Sequence, residues 1–156
     1  MNRYYDVVIV GYGPVGQLLA GLLGAEGFRV GVFERWDDIY PLPRACVVDD
    51  EVMRILQADR VADAFERVAV NTQAEYVWSN AQGQVLLSFK RPAYGLSGWN
   101  ARYMMYQPDL ERLLDGEARI FDTVEIHRGW TAIDLRMDAD GAAVELESGA
   151  IEDGQW

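Results

Sequence analysis

The sequence predicts an α/β protein whose leading part is a strand–helix–strand unit, and three observations carry that reading. The first is "VVIVGYGPVGQLLAGLLGA", Val7 to Ala25, nineteen residues without a charge, in which β-branched residues give way to clustered glycines and then to an apolar run. The second is another short apolar segment, "RVGVF", Arg29 to Phe33, directly after a break at Gly27. The third is the change of pattern from Ala74 onward, where short runs of β-branched and aromatic residues alternate with turn residues.

Taken in order, Tyr5 to Val10 reads as a buried strand because its β-branched residues favour extended backbone. Pro14 to about Ala25 reads as a helix, and Arg29 to Phe33 as a second strand. Trp36 to Pro43 carries two prolines and no periodicity, so it is a loop. It leads into "RACVVDDEVMRILQ", where Asp49 or Asp50 can cap a helix with Val52, Ile55 and Leu56 on its apolar face. A further helical turn or two is expected around Val61 to Val68. "AEYVWS" and "QVLLSF" flank Asn80 to Gly83 as a strand pair around a four-residue turn. Pro92 to Asn100, with Gly95 and Gly98, is another loop, and Tyr103 to Tyr106 a short strand. Pro108 stands where a helix through Leu113 and Leu114 would begin. "VEIHRG", "WTAIDLRMD" and "AAVELES" read as strands separated by turns such as Asp140-Gly141. No repeat or low-complexity tract is visible.

The charge-free run is about as long as a bilayer-crossing helix. Its β-branched start and the crowding of Gly11, Gly13, Pro14 and Gly16 argue against that, because a span needs continuous internal hydrogen bonding. A secretory leader is not expected either: Asp6 precedes the run, only Arg3 is basic, and no small-residue cleavage site precedes Glu26. The 156 residues, half of them apolar, suffice for one domain with a real core. A net charge of −11 repels a phosphate backbone, so nucleic acid is not an expected partner. Any phosphate must therefore be held locally. The single cysteine, Cys46, excludes an internal disulfide and points to the cytoplasm. One cysteine and one histidine, His127, leave no constellation for zinc or for a Cys/His nucleophile pair, so chemistry is expected from a cofactor.

Gly11-Tyr-Gly13-Pro-Val-Gly16 lies between the first strand and the first helix, where a dinucleotide requires it. Gly11 permits the tight turn, Gly13 removes a side chain that would collide with a pyrophosphate, and Gly16 lets helix and strand pack closely. At the helix start, Pro14, Val15 and Gly16, the free amides (those of Val15 and Gly16, proline having none) and the helix dipole then face the phosphates. Ala20 is a further small residue toward the sheet. Glu34, after the second strand, can accept the ribose hydroxyls of an adenosine and would repel a 2′-phosphate. The plain alternative is an ordinary strand–turn–helix with Glu34 solvated at a strand end. Spacing alone does not separate NAD from FAD.

Three blocks, "DVVIVGYGPVGQLLAGLLGAEGFRVGVFER", "PLPRACVVDDEVMRILQ" and "GWNARYMMYQPDLERLL", resemble the amino-terminal part of flavin-dependent aromatic hydroxylases, the single-component FAD monooxygenases. The resemblance covers nearly the whole chain and is strongest to the 3-(3-hydroxyphenyl)propionate hydroxylase type. It implies a Rossmann-like FAD-binding three-layer domain with part of a β-rich substrate-side sheet. Segment boundaries expected from it are a βαβ core in 1–73, substrate-side strands in 74–106, and a return to the FAD-binding domain in 107–156. It implies FAD as the held nucleotide, NADH or NADPH as electron donor, and dioxygen and a small aromatic substrate as reactants. One oxygen atom is delivered to a phenolic ring, a step of aromatic catabolism.

The resemblance also carries site residues. Glu34 matches the glutamate that binds the adenosine ribose, and Arg35 a residue often near the adenine. Arg44 matches an arginine approaching the FAD pyrophosphate, with a surface arginine after a proline loop as the alternative. Gln107 matches a glutamine near the ribityl or phosphate end of the flavin, with a helix-capping polar residue as the alternative. Ala132 stands where the family usually has a valine against the adenine, a backbone contact at best. No catalytic acid or base stands out. Asp49, Asp50 and Glu51 are explained as caps and early-turn acids, His127 as structural, and Cys46 as a small buried residue. Trp78, Trp99, Met104 and Met105 could line a cavity but are more often core.

Family members are much longer, so their second flavin-binding motif and most of the substrate domain are expected beyond Trp156. Asp153-Gly154 lacks the serine and arginine that follow the family's Asp-Gly block and reads as a hairpin turn. On this reading the 156 residues alone hydroxylate nothing. Two rival readings remain: the nucleotide half of another FAD-dependent oxidoreductase, such as a dehydrogenase or halogenase, and a non-catalytic dinucleotide-binding module.

Overall fold

The structure is a computed structural model that describes residues 3–72, 75–139 and 141–149. In chain order these form β1 (Val7–Val10), α1 (Pro14–Ala25), β2 (Val30–Glu34), β3 (Val47–Val48), α2 (Asp50–Ala58), α3 (Ala62–Val68) and β4 (Val70–Asn71). They continue with β5 (Tyr76–Ser79), β6 (Val85–Phe89), β7 (Tyr103–Met104), α4 (Gln107–Ala118), β8 (Val124–Arg128), β9 (Trp130–Met137) and β10 (Ala142–Ser148). Contacts divide them into two units, one comprising the chain up to Leu42 and from Leu110 onward, the other Pro43–Asp109. Ala74, Asp140 and Asp153-Gly154, named in the expectations above, lie outside the described residues.

In the first unit β1, β2 and β8 form a parallel sheet in the order β1-β2-β8. Strand alternation sorts its side chains between two faces. Ile9, Val30 and Val32 are buried with Ala20 of α1 and Ala118 of α4, and Val124 and Ile126 pack against this cluster. On the opposite face Val8, Phe33 and His127, together with Trp130, Arg136 and Val144 of the β9–β10 hairpin, line an open cleft of about 830 Å³. Helix, parallel sheet and antiparallel hairpin are the three layers. The hairpin closes through the Asp138 amide on the Gly141 carbonyl and the Gly141 amide on the Asp138 carboxylate, each at 3.0 Å.

In the second unit β7 pairs antiparallel with both β3 and β4. Met53 and Leu56 of α2, Phe65 of α3, Val48 and Tyr103 are buried there. The expected apolar face of α2 is thereby shifted: Met53 joins Leu56 inside, while Val52 and Ile55 are only half-buried. Asp49 is the cap, its carboxylate accepting the Val52 amide at 3.1 Å. The neighbouring Asp50 instead holds the 92–100 loop, accepting the Ser97 amide at 3.1 Å and hydroxyl at 2.8 Å. Its carboxyl is held below the usual range by those two donors. β5 and β6 form the expected hairpin, with Asn80 accepting the Gln82 and Gln84 amides in the turn and Tyr76, Trp78 and Phe89 stacked along one face. The two-residue strands β3 and β4 were not expected, because so short a segment has no periodicity to read.

Candidate functional site: a glycine turn facing a carboxylate

β1 ends at Val10, and the chain turns at Gly11 with φ of +97°, a conformation glycine adopts without steric cost. The Gly11 amide donates to the Phe33 carbonyl at 2.8 Å, tying the turn to the end of β2. Gly13 is the N-cap of α1 and Pro14 its first residue; no side chain caps this helix and no acid stands in its first turn. The first-turn amides therefore have no side-chain cap, and no acid of the first turn meets the positive end of the dipole. A Cβ on Gly13 would meet nothing within 4 Å, so its approach is open. A Cβ on Gly16 would instead collide with the Gly11 carbonyl oxygen. Gly13 leaves space for something outside the chain, whereas Gly16 is required by the packing of the turn on itself. Val15, between them, is 80 % exposed.

Glu34, the last residue of β2, is 9 % exposed. Its Oε2 accepts the Tyr12 amide at 2.6 Å and its Oε1 the Trp36 amide at 3.0 Å. It is thus anchored beside the glycine turn rather than solvated at a strand end. A carboxylate has about four acceptor positions, so two remain for hydroxyl donors such as those of a ribose. Open space at Gly13, uncapped helix amides and an oriented carboxylate are a donor and acceptor set that fits an adenine dinucleotide. Arg35 is exposed, with its guanidinium carbon 5.3 Å from the centre of the Trp36 ring.

Two neighbours of the turn were not anticipated. The Tyr12 ring is buried beneath the Arg128 guanidinium, 5.1 Å from its centroid, and Arg128 in turn is 3.7 Å from Asp115. Burial first, and then the Asp115 charge, push the Tyr12 hydroxyl well above the usual phenol range. Arg128 faces Glu34 in the β2–β8 register, at the carboxyl end of the sheet. The sequence holds no signal for that pairing, because the register of parallel strands far apart in the chain follows from packing.

In the second unit the structure joins Arg44 and Gln107. The Gln107 side-chain oxygen accepts the backbone amides of Arg44 at 2.9 Å and Ala45 at 2.8 Å. Ala132 is half-buried on β9, opposite Leu146 at a register shift in β10. Cys46 departs from expectation: it is exposed, because it borders the short β3 rather than the unit's core. His127 stacks on Phe33 at 4.9 Å and lies 3.3 Å from the hydroxyl of Tyr5 and from the carboxylate of Glu125. That cluster borders the cleft, which none of the expected cofactor residues lines. Trp78 is 48 % exposed, and the Trp99 indole donates to Gln57 at 3.1 Å. Among the described residues no group of His, Cys, Asp and Glu could hold a metal, and no helix is long and apolar enough to cross a membrane.

Residues 4–154 match a family described as the FAD binding domain. A protein of Rhodococcus jostii (strain RHA1) named "Probable NADH-specific resorcinol 4-hydroxylase" is 46% identical over 92% of this chain and 27% of its own length. The 3-(3-hydroxy-phenyl)propionate/3-hydroxycinnamic acid hydroxylase of Mycolicibacterium gilvum (strain PYR-GCK) is 34% identical over 92% of this chain and 25% of its own length. The crystal structure of p-nitrophenol 4-monooxygenase from Pseudomonas putida DLL-E4 shares the fold, with a TM-score of 0.77 at 23% identity over 94% of this chain and 40% of that one. The chain therefore spans about a quarter of the length of the curated relatives it matches. With an open, uncapped glycine turn beside an anchored carboxylate and a match along nearly all its residues, the chain belongs to the FAD binding domain family.

Proposed function

We propose that this chain is the FAD-holding part of a flavoprotein monooxygenase that hydroxylates a phenolic substrate with NADH and dioxygen. The observation that carries the reading is the pairing of open space at Gly13 with Glu34 anchored on the Tyr12 amide. In this reading the amides of Pro14's successors, Val15 and Gly16, and the dipole of α1 receive the pyrophosphate across Gly11 and Gly13. Glu34 accepts the adenosine ribose hydroxyls, Arg35 lies toward the adenine, and Ala132 offers it main-chain contact. Arg44, matched by resemblance to an arginine that approaches the pyrophosphate in the family, carries the fixed donor fork suited to that role. When bound, FAD supplies the redox chemistry, taking electrons from NADH and passing them to dioxygen. The protein's part is to bind and orient it. Relatives named for resorcinol and for 3-(3-hydroxyphenyl)propionate both support a ring bearing a free hydroxyl, and the first favours NADH.

Two measurements test this. Titrating the purified chain with FAD while following flavin fluorescence, with circular dichroism alongside, is expected to show saturable one-to-one binding. A folded chain that takes up no FAD overturns the reading. A longer protein carrying this segment is expected to consume NADH in the presence of a phenol and release a hydroxylated product. NADH consumption without product under every phenol tried would favour a different flavin-dependent oxidoreductase.

A further inference from the structure

The Arg44–Ala45 segment enters β3, and β3 is paired with β7 so that Val47 faces Met104 and Val48 faces Tyr103. The Met105 amide still donates to the Cys46 carbonyl at 2.9 Å, one step beyond the strands. If that register ran on, Ala45 would face Tyr106 and Arg44 would face Gln107. It does not run on, because Gln107 opens α4 and Pro108 behind it has a fixed φ and no amide hydrogen. The main-chain acceptor that would have met the Arg44 amide is thereby withdrawn, while the Ala45 amide, at the intervening non-hydrogen-bonded position, would have pointed away from β7. The side chain of Gln107 replaces it and takes the Ala45 amide as well: its one oxygen accepts both amides, at 2.9 and 2.8 Å. Only the oxygen end of a carboxamide can accept from an amide, which fixes its orientation. Gln107 itself is 9 % exposed, so solvent has little access to substitute for it.

We infer that Gln107 is a positioning residue, whose side-chain oxygen prolongs the β3–β7 ladder past its end and so sets the course of the Arg44 segment. Its carbonyl end is committed to that turn rather than to a ligand. Resting on the FAD reading above, the inference further states that Gln107 contributes to cofactor affinity through Arg44.

The test compares Gln107→Met, which keeps volume and loses the acceptor, with Gln107→Glu, which keeps an oxygen able to accept both amides. Amide hydrogen exchange of the cofactor-free 156-residue chain is the first readout. Two lost hydrogen bonds are expected to speed exchange at Arg44 and Ala45 by about tenfold or more in Gln107→Met, and Gln107→Glu is expected to keep both slow. Unchanged exchange at both amides in Gln107→Met overturns the inference. Should that variant fail to fold, fast exchange at both amides in Gln107→Glu overturns it equally. The second readout is FAD affinity in a double-mutant cycle with Arg44→Ala. Gln107→Met alone is expected to weaken binding by about tenfold, and to add less than about twofold in the Arg44→Ala background. Fully multiplicative losses would mean that Gln107 acts on the cofactor independently of Arg44, and would overturn that part. A wild-type chain that takes up no FAD defeats the FAD reading, while the exchange comparison still decides the positioning role.

Discussion

Gly13 and Gly16 stand three residues apart in one turn and answer to different constraints. A methyl group at Gly16 collides with the Gly11 carbonyl, so Gly16→Ala is expected to destabilise the chain by about 1–3 kcal/mol whether or not FAD is present. At Gly13 the backbone is extended, with φ of −80°, and nothing lies within 4 Å. Gly13→Ala is therefore expected to leave stability within about 0.5 kcal/mol of wild type and to weaken FAD binding by about tenfold. Urea denaturation and FAD titration of the two variants separate these outcomes. Glu34→Gln replaces one of two acceptor oxygens by an amide group, leaving either Tyr12 or Trp36 without its partner. The expected cost is about 1–3 kcal/mol, read by the same denaturation, together with weaker FAD binding. Asp6 offers a pH-dependent counterpart. The Arg29 guanidinium and backbone amide hold its carboxyl at about 2. A carboxyl lowered on folding contributes stability that is fully present above its ordinary value and lost as pH falls through the folded one. Asp6→Asn is accordingly expected to flatten the decline in stability between about pH 4 and pH 2, measured as urea midpoints across that range. Glu34 and the glycines were legible from their spacing. That Glu34 also restrains the turn was not, since Tyr12 lies 22 residues before it.

At the scale of elements the two clearest patterns were local ones. α1 was readable from Pro14 to Ala25 because proline opens it and an apolar run fills it. The β5–β6 hairpin was readable from its turn residues. α2 was recognisable from its cap, and Asp49→Ala is expected to cost about 1 kcal/mol in a urea melt because the Val52 amide loses its acceptor. Which part of α2 faces inward was not readable. Val52, Met53, Ile55 and Leu56 make a wide apolar stripe, and only packing selects Met53 and Leu56 for full burial. β3 and β4, at two residues each, exist because β7 offers both of its edges. Their own residues carry no signal of that kind.

For the whole molecule, a net charge of −11 and an expected anionic cofactor are reconciled by locality: the amides of one helix start present positive potential where no side chain of the turn supplies it. Binding restricted to the folded state must then stabilise it by mass action. FAD at a hundred times its dissociation constant is expected to add about 2.7 kcal/mol, seen as a melting temperature that climbs with FAD concentration. An unchanged melting temperature under saturating FAD would contradict binding at the folded site.

By itself the sequence determined the strand–turn–helix, the glycine spacing, the carboxylate at the end of β2 and the hairpins, because each arises from residues close together in the chain. Tertiary structure alone decided that Glu34 grips the Tyr12 amide, that Arg128 faces Glu34, and that Gln107 takes the amides of Arg44 and Ala45. Those partners are brought together by strand register and by where a ladder ends, which are properties of packed elements rather than of any local run of residues.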